Sequence, residues 1–545
     1  MKKTIASILF MLTFLFVSCD GNKKTSGEEK GSDEESDNFL VDKETVDDEF
    51  VDPRLEIFIS ALKKDLEKSN ALGVSAAIMK NGEIVFSQAL GFKDVEKKTP
   101  LTTDTLMQIG STTKQMTAAA LLQKVEKGKV SLENSLSDIL PELKFKYDET
   151  WTDFIKIHHL LSHQGGFFDW TPWDLLSDDD IFEGVARSYV NKYFVMNPPG
   201  VFYNYSNPHF SFLGLITESL DDRFWSDIIK EDVFSPLGMD RTYARLKEVK
   251  KDSDYSDSFG YNYKDVQSLE LVDLTIDEIS ESVFTRPAGL VWTTPEQMMK
   301  WADFIMNGNT QVLSDELRSK MTTPHIDTLY GSGTMFYGYG VIVETGYQSK
   351  DGNWYQTPVW QHGGNTISFT NIFYIFPELD FALSICSSGY GTDFSESVDV
   401  AVSAFADLPK PSKDVPKHEI DPDKFDSHTG TYNDAFNVGT MIITKEGNSL
   451  LVSAPTLEEY GYKVEKELIP ISSDIFILSL DGDLLDITFV KENGESKYMR
   501  NRIFVLTKVE EEETLKKPSK QQVTDFIIQS KLNVNHDLHR LIKTR

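Results

Sequence analysis

Strand-like segments stand at both ends of a long helix-rich stretch, and this order restricts the folds that the chain can adopt. Near the start, two apolar runs, 74–80 and 84–90, are joined by Asn81-Gly82, the strongest short-range signal of a β-hairpin. Strand character returns far along the chain, at 338–343, 369–374 and 381–385. Helical patterns occupy 53–70, 111–127, 152–162, 179–193, 209–220 and 295–306. The sequence therefore predicts an α+β domain over 53–410, in which an antiparallel sheet pairs the first and last strands and is flanked by helices, with a helical subdomain.

A second, smaller domain is expected after residue 410. Prolines and charges cluster at Leu408-Pro-Lys-Pro411, which indicates a linker over 411–421. Short alternating apolar runs follow at 431–432, 441–444, 450–453, 475–478, 485–489 and 503–506, and turns such as Asp481-Gly482-Asp483 separate them. This spacing predicts a small β-barrel or sandwich over 422–510. Residues 511–545 form a charged tail, with a helix expected near 519–530.

The charge of the chain argues against one class of partner. The formal net charge at pH 7 is −31, whereas nucleic-acid-binding proteins need a basic face to neutralise phosphates. We therefore expect no nucleic-acid partner. About a third of this charge lies in residues 28–52, which hold twelve acidic residues and two lysines. Such a segment repels itself and stays solvated, so we predict an acidic, disordered tether over 19–52.

The N-terminus has the features of an export signal. Lys2-Lys3 precede an apolar run from Ile5 to Val17, which is too short to span a membrane and suits the core of a signal peptide. The run ends in Ser18-Cys19 and resembles a bacterial lipoprotein signal, in which the cysteine is lipidated. We therefore expect a signal peptide over 1–18 and a lipid on Cys19 that anchors the protein to a membrane of the cell envelope, on the periplasmic face or the cell surface. Phe16 departs from the usual small aliphatic residue, and an ordinary secretory signal is the alternative.

The other cysteine, Cys386, lies in an apolar run. With one cysteine in the export region and one in this run, a disulfide framework is not expected. Cys386 is interpreted as a small buried hydrophobic residue.

Ser111-Thr-Thr-Lys114 is the first motif that suggests chemistry. Residues three apart on a helix are neighbours, so the lysine amine would lie beside the serine hydroxyl. A partly desolvated lysine loses its proton more easily and can then activate the hydroxyl as a nucleophile. Ser60-Ala-Leu-Lys63 has the same pattern, but Ser60 falls in mid-helix, whereas Gly110 precedes Ser111 and a long apolar helix follows. We expect Ser60 to lie on the surface; a simple N-cap role is the alternative for Ser111.

Three further motifs carry polar groups suited to the same chemistry. Tyr205-Ser-Asn207 supplies a phenol that can transfer protons and an amide that can bind both a lysine and a substrate. Gln361-His-Gly-Gly-Asn365 precedes strand sequence, and its glycines would let a substrate backbone approach a strand edge. The third motif is Leu160-Leu-Ser-His-Gln-Gly-Gly-Phe167.

Together these motifs resemble those of the serine β-lactamase and penicillin-binding-protein superfamily, in its class C β-lactamase, D-aminopeptidase and esterase branch. The order S-x-x-K, Y-x-N and (H/K)-x-G is that of the branch, and the likeness covers roughly residues 55–407. Wider contexts that also match are 107–117, 205–214, 236–239 and 286–294. The resemblance implies the β-lactamase/transpeptidase-like fold and a serine hydrolase that forms an acyl-enzyme without a cofactor or metal ion.

The resemblance also implies a role for each matching position. Ser111 would be acylated, and Lys114 and Tyr205 would share proton transfer. The catalytic set would be Ser111, Lys114, Tyr205, Asn207 and His362. Substrate binding, including an oxyanion hole made by the N–H groups of Ser111 and Asn365, would involve Ser111, Gly363, Gly364 and Asn365.

Two positions depart from the family pattern. Dedicated β-lactamases carry lysine at the position of His362, where a fixed charge meets the carboxylate of the drug, whereas histidine titrates near neutrality. Gln164-Gly165-Gly166 stands where relatives have a Thr-Ser-Gly run, so we assign it no catalytic role. The departures favour a D-amino-acid peptidase or carboxypeptidase, or an esterase, that acts on small peptides such as cell-wall fragments or on small esters. β-Lactams remain a third substrate class.

The last part of the chain also resembles family members. Residues 425–432 are similar to the lipocalin-like appendage of some such hydrolases, which can border the active-site cleft or serve as a spacer. The segment 248–280 is expected to border the cleft as well.

Two other functions remain open. A non-catalytic penicillin- or peptidoglycan-binding or sensor lipoprotein would use the same pocket without turnover. A metal enzyme would use His158, His159 and His163, of which the last two have i, i+4 spacing. The general-base glutamate of H-E-x-x-H is absent, so we expect no metal site.

Overall fold

The computed structural model describes residues 52–145, 151–170, 182–192, 194–509 and 515–532. The predicted signal peptide, Cys19 and the tether up to residue 51 lie outside these residues. No helix within them is both long enough and apolar enough to cross a membrane. The fold prediction is confirmed, because a nine-stranded antiparallel sheet flanked by helices precedes a closed eight-stranded barrel.

The first domain has short and long strands whose bounds are β1 Gly73–Lys80, β2 Glu83–Gly91, β3 Met107–Gln108, β4 Ser258–Tyr261, β5 Leu271–Leu274, β6 Trp292–Thr293, β7 Ile326–Asp327, β8 Met335–Tyr337, β9 Ile342–Glu344, β10 Tyr347–Gln348, β11 Trp354–Tyr355, β12 Val359–Gln361, β13 Gly364–Asn365, β14 Thr370–Phe376 and β15 Phe381–Ser387. The main sheet runs in the order β2-β1-β15-β14-β12-β9-β8-β7, with β13 beside β14. The first hairpin therefore pairs with the last strand, as expected. Its turn residues Asn81 and Gly82 have φ of 53° and 76°, the left-handed conformations that a two-residue type I′ turn requires.

One strand prediction is wrong. The stretch 338–343 is not one strand, since a turn separates β8 from β9 and the Gly338 N–H donates to the Val341 carbonyl at 2.8 Å. Gly340 has φ of 76°, and a Cβ there would lie 2.8 Å from the Lys114 carbonyl oxygen. The apolar residues of this stretch suggested a strand, but its glycines make a turn against the helix that carries Lys114.

Helices cover both faces of the sheet. Their bounds are α1 Pro53–Lys68, α2 Thr113–Glu126, α3 Leu136–Ile139, α4 Ile157–Leu161, α5 Phe182–Lys192, α6 Asn207–Ser219, α7 Trp225–Ile229, α8 Leu246–Asp252, α9 Arg286–Gly289, α10 Pro295–Asn307, α11 Asp315–Met321 and α12 Ser395–Phe405. α1 buries Phe58, Ala61, Leu62 and Asp65, one face at helical spacing. It packs with α12 on one side of the sheet, while α2 lies in the large apolar core on the other side.

The C-terminal barrel has strands β16 Gly430–Asp434, β17 Gly439–Glu446, β18 Ser449–Ser453, β19 Glu467–Pro470, β20 Ile475–Leu480, β21 Asp483–Glu492, β22 Glu495–Asn501 and β23 Phe504–Val509, with helices α13 Pro455–Glu459 and α14 Lys520–Leu532. The sequence pattern missed β19 and β22. β22 was missed because its Arg500 and Asn501 are polar yet buried. α14 agrees with the predicted helix in the tail, and its Val523 and Phe526 pack into the barrel core.

The barrel packs against the first domain through buried polar and apolar contacts. Tyr330 donates its hydroxyl proton to Asp486 at 2.7 Å, and Arg500 donates to the Thr328 carbonyl at 2.9 Å. Tyr203 and the barrel residue Ile475 share one apolar cluster. Because Tyr203 lies two residues before Tyr205, this contact brings the barrel beside one of the predicted catalytic motifs.

Candidate active site

Ser111 lies in a single 3-10 turn, Gly110–Thr112, that leads directly into α2. Gly110 adopts φ of 52°, and a Cβ at this position would lie 2.4 Å from the backbone nitrogen of Asn365. A glycine is therefore needed both for the conformation and for the close approach of the neighbouring strand. Ser111 itself is half-buried. By contrast, Ser60 of the second S-x-x-K pattern is exposed on α1.

Lys114 is fully buried one turn further along α2. Its Nζ lies 2.9 Å from Ser111 Oγ, 2.7 Å from Asn207 Oδ1 and 2.7 Å from the Ala288 carbonyl oxygen. Burial lowers the pKa of Lys114 well below its ordinary value, and the charge of Arg502 lowers it further, while Asp169 acts in the opposite direction. A neutral amine in this position can accept the proton of the Ser111 hydroxyl.

Tyr205 completes the surroundings of the serine hydroxyl. Its phenol donates to Ser111 Oγ at 2.8 Å, and Lys114 Nζ lies 4.9 Å from its ring centre. The ring packs on His163, with 4.2 Å between ring centres. His163 is fully buried and lies 3.0 Å from His209, nitrogen to nitrogen. The structure therefore brings the hydroxyl of Ser111 within hydrogen-bonding distance of both predicted proton-transfer groups.

His362 borders this group, with its ring centre 6.2 Å from that of Tyr205. Its Nδ1 lies 2.6 Å from the Gly363 carbonyl and its Nε2 lies 3.0 Å from the Tyr337 hydroxyl. A carbonyl only accepts, so Nδ1 carries the proton and Nε2 accepts from Tyr337. Burial and then the charge of Lys114 lower the pKa of His362 to about 3. The imidazole is thus neutral near pH 7, and its two nitrogens bind neighbours within the protein.

The glycine pair after His362 shapes the edge of the site. A Cβ on Gly364 would lie 1.9 Å from the Ile109 carbonyl oxygen, whereas nothing lies within 4 Å of the corresponding position on Gly363. β13 is therefore in direct backbone contact with the segment that carries Ser111. Asn365 is half-buried, like Ser111, Tyr205 and Asn207. This arrangement fits the oxyanion role of Ser111 and Asn365, which stays a prediction.

Several site residues had no assigned role at the sequence level. The Ala288 carbonyl that binds Lys114 belongs to a stretch, 286–294, that matched the family context without a known purpose. Asp169 lies two residues beyond the 160–167 motif and Tyr337 directly precedes the run 338–343, but neither carries a signal of its own. Arg502 comes from the barrel, and no local pattern connects it with Ser111.

The segment 248–280 and the histidines of the metal alternative have clear positions. In the segment 248–280, the Tyr261 N–H of β4 donates to the Ile367 carbonyl at 2.8 Å, so the β4–β5 hairpin contacts the chain two residues beyond Asn365, and its place at a cleft stays a prediction. His158 bonds Tyr339 at 2.7 Å, whereas His163 faces His209. In the described ranges, no group of three or more His, Cys, Asp or Glu side chains is arranged to hold a metal ion.

The chain has relatives among known proteins. The family model described as Beta-lactamase matches residues 58–407, well over half of the chain. Protein flp of Staphylococcus aureus is 26% identical over 251 residues, 45% of this chain and 48% of that protein. Beta-lactamase-like protein 2 of Dictyostelium discoideum is 26% identical over 317 residues, 56% of this chain and 54% of that protein. The chain thus spans about half the length of the curated relatives it matches.

The similarity to solved structures covers more of this chain than residues 58–407, the part that the family model matches. The octameric penicillin-binding protein homologue from Pyrococcus abyssi has a TM-score of 0.54 and 20% identity, covering 83% of this chain and 99% of that one. SurE has a TM-score of 0.62 and 18% identity, with coverage of 84% and 99%. The D-amino acid amidase from Ochrobactrum anthropi SV3 has a TM-score of 0.53 and 21% identity, with coverage of 64% and 98%. The motif order, the fold and the family match lead to one conclusion: this chain belongs to the beta-lactamase family, within the superfamily of β-lactamase and penicillin-binding-protein serine hydrolases.

Proposed function

We propose that this protein is an exported hydrolase that forms an acyl-enzyme on Ser111 and cleaves amide or ester bonds in small substrates. The observation that carries the proposal is the position of the Ser111 hydroxyl, 2.9 Å from the Lys114 amine and 2.8 Å from the Tyr205 phenol. Proton transfer to and from a serine nucleophile requires groups that can accept and donate a proton at its oxygen. Here an amine with a lowered pKa and a phenol both contact the Ser111 Oγ.

The reaction follows from these contacts. The neutral Lys114 amine takes the Ser111 proton as Oγ forms a bond to the substrate carbonyl carbon. The carbonyl oxygen becomes negative and is held by the N–H groups of Ser111 and Asn365. The C–N or C–O bond then breaks as Tyr205 donates a proton to the leaving group, and the proton taken by Lys114 restores the phenol. Water attacks the acyl-enzyme by the same route, which releases the acid and returns the proton to Ser111.

The neutral state of His362 bears on the substrate. Its pKa of about 3 leaves no positive charge at the position where dedicated β-lactamases have lysine. This supports peptides of D-amino acids, D-amino-acid amides or small esters over β-lactams as substrates. A structural relative named as a D-amino acid amidase is consistent with that choice.

The proposal includes a location at the cell envelope. It rests on the apolar run before Cys19 and on the acidic segment after it, which would give a lipid-anchored enzyme reach from the membrane surface. Globomycin, which blocks lipoprotein signal cleavage, should make a lipid-modified precursor accumulate. If no such precursor appears, the anchor is wrong, whatever the outcome for the hydrolase.

The hydrolase is tested with p-nitrophenyl acetate and a fluorophosphonate label. We expect the wild-type protein to turn over the ester and to be labelled at Ser111, and Ser111→Ala to lose both. Ser60→Ala is the matched control, because Ser60 heads the same S-x-x-K pattern on an exposed helix face, and it should behave like wild type. Labelling at another residue, or equal turnover by Ser111→Ala, would contradict the proposal. Labelling of Ser111 without turnover would instead favour the binding or sensor protein.

A further inference from the structure

One residue of the C-terminal barrel reaches the candidate active site. Arg502 lies in the turn between β22 and β23, and its guanidinium carbon is 4.4 Å from the ring centre of Tyr205. Its Nε donates to Asp169 Oδ2 at 2.5 Å. The Arg502 side chain is 25% exposed, whereas that of Asp169 is 1% exposed. A second domain thus contacts the phenol that donates to Ser111.

Asp169 links Arg502 to the centre of the site. Its other carboxylate oxygen accepts the Asn207 N–H at 2.8 Å, at the start of α6, where a helix leaves its first N–H groups without intrahelical acceptors. The side chain of Asn207 in turn accepts from Lys114 at 2.7 Å. A buried carboxylate is costly unless a cation pairs with it, so the position of Asp169 depends on Arg502.

The turn that carries Arg502 is held on both sides. Asn501 donates its side-chain amide to Asp486, at 2.9 Å to the carbonyl and 3.0 Å to the carboxylate. The Ile503 N–H donates to the Asn501 side chain at 3.1 Å. Arg500 is buried and donates to the Thr328 carbonyl at 2.9 Å. These bonds fix the backbone from which the Arg502 side chain extends, so its place over Tyr205 is set by the docking of the barrel.

We propose that the barrel is an integral part of the active site and that Arg502 is a positioning residue, which holds Tyr205 and Asn207 in reacting geometry through the Tyr205 ring and the Asp169 ion pair. This inference rests on the proposed hydrolase function. A guanidinium over an aromatic face is attracted to it, and the ion pair fixes the first residue of α6. Arg502 acts through Tyr205 and Asn207 and does not itself take or give a proton.

Because Arg502 is charged, its removal should change the pH dependence of the reaction, which the loss of a purely structural residue would not do. The charged groups that face Lys114 are Arg502 and Asp169, and the titratable groups are Tyr205, His163, His209 and His362. Burial lowers the pKa of His209 and of His362 to about 3 and that of His163 well below its ordinary value, so all three are neutral near pH 7. Burial lowers the pKa of Lys114, Arg502 lowers it further and Asp169 raises it. Removing the Arg502 charge therefore raises the pKa of Lys114 and makes its neutral form less available.

The experiment compares kcat, KM and the pH profile of kcat/KM for p-nitrophenyl acetate in the full-length protein. We expect Arg502→Gln to lower kcat by about tenfold or more with little change in KM, and to move the acid limb of kcat/KM to higher pH. Arg502→Lys keeps the charge but not the planar contact, so it should lower kcat and leave the acid limb near that of wild type. Lys517→Gln is the matched control, because Lys517 lies 4.8 Å from the Tyr460 ring centre and 2.5 Å from Glu459, a barrel cation with the same two kinds of contact. It should behave like wild type.

The outcomes separate this inference from the proposed function. If the wild type is active and Arg502→Gln has the same kcat and the same pH profile of kcat/KM, this inference is overturned and the proposed function stands. A rise in KM with kcat unchanged also overturns it, because Arg502 would then bind substrate. If Arg502→Gln unfolds, Arg502→Lys decides: a normal kcat overturns the inference and a lowered kcat in a folded protein supports it. A wild type that neither turns over the ester nor is labelled at Ser111 ends the proposed function, and this inference falls with it.

Discussion

Replacing Gly364 by alanine tests whether the contact between β13 and the Ser111 segment sets the geometry of the site. The added Cβ would lie 1.9 Å from the Ile109 carbonyl oxygen and 3.0 Å from the Gly110 Cα. Carbon and oxygen atoms do not approach closer than about 3.0 Å without severe repulsion, so the two segments must separate by about 1 Å. Gly364 does not have a positive φ, so the clash, and not backbone strain, is the cause.

The expected loss of rate follows from that displacement. A hydrogen bond stretched by about 1 Å from its usual length of about 2.9 Å is effectively lost. Asn365 follows Gly364 directly, so its N–H would leave the position of the proposed oxyanion. Losing one such donor costs about 3 kcal/mol of barrier, or about 10²–10³ in kcat. We therefore expect Gly364→Ala to lower kcat for p-nitrophenyl acetate by about that factor.

Gly363→Ala is the comparison variant, because it adds the same methyl group one residue earlier, where no atom lies within 4 Å. It should lose far less activity than Gly364→Ala, and both should unfold at similar temperatures if the clash is relieved by a local shift. The assay is steady-state kcat for both variants, with thermal unfolding followed by circular dichroism. If the two kcat values agree within about threefold, the close approach of β13 does not control the site and the reasoning is wrong.

Two further predictions follow from the site. Tyr205→Phe removes only the hydroxyl that donates to Ser111, so kcat should fall by about 10²–10⁴ while the unfolding temperature stays near wild type; an active Tyr205→Phe would exclude the phenol from proton transfer. Stability should fall as the pH falls from about 6.5 towards 3. Burial lowers the folded-state pKa of His209 and of His362 to about 3, whereas in the unfolded chain both pKa values stay near 6.5. Between these two pH values the unfolded chain binds more protons than the folded protein, so protonation favours unfolding. Unfolding temperatures measured from pH 7 to pH 4 would contradict this if they stay constant.

The parts of the site that could be predicted are those whose geometry is local in sequence. Ser111 and Lys114 are three residues apart on one helix start, so their contact follows from helix geometry alone. Tyr205 and Asn207 were recognised by the order of motifs, not by any physical rule that connects them with α2. The sheet could be predicted because an Asn-Gly hairpin and two apolar strands have strong local signals.

The parts that could not be predicted depend on contacts between distant segments. The pairing of Arg502 with Asp169 crosses 333 residues and exists because the barrel docks beside Tyr203. The same docking explains why β22 was missed, since the buried polar Arg500 serves the interface and disturbs the apolar alternation of a strand. The local pattern of 338–341 predicts a strand because it does not show the packing of Gly340 against the backbone of Lys114, which requires a turn.

His362 shows that even a correctly chosen residue can have a chemical state that its sequence does not reveal. Histidine was expected to titrate near neutrality, but burial and the neighbouring Lys114 lower its pKa to about 3. Its Nε2 is bound by the Tyr337 hydroxyl and its Nδ1 by the Gly363 carbonyl, so at the (H/K)-x-G position the residue supplies shape and hydrogen bonding and not charge. A permanent positive charge reaches the site from the barrel, because the Arg502 guanidinium lies 4.4 Å from the ring centre of Tyr205. Dedicated β-lactamases carry a lysine where this chain has the neutral His362. The cation that this chain brings to the site, Arg502, comes from the second domain and lies on the ring of Tyr205, the residue whose phenol donates to Ser111.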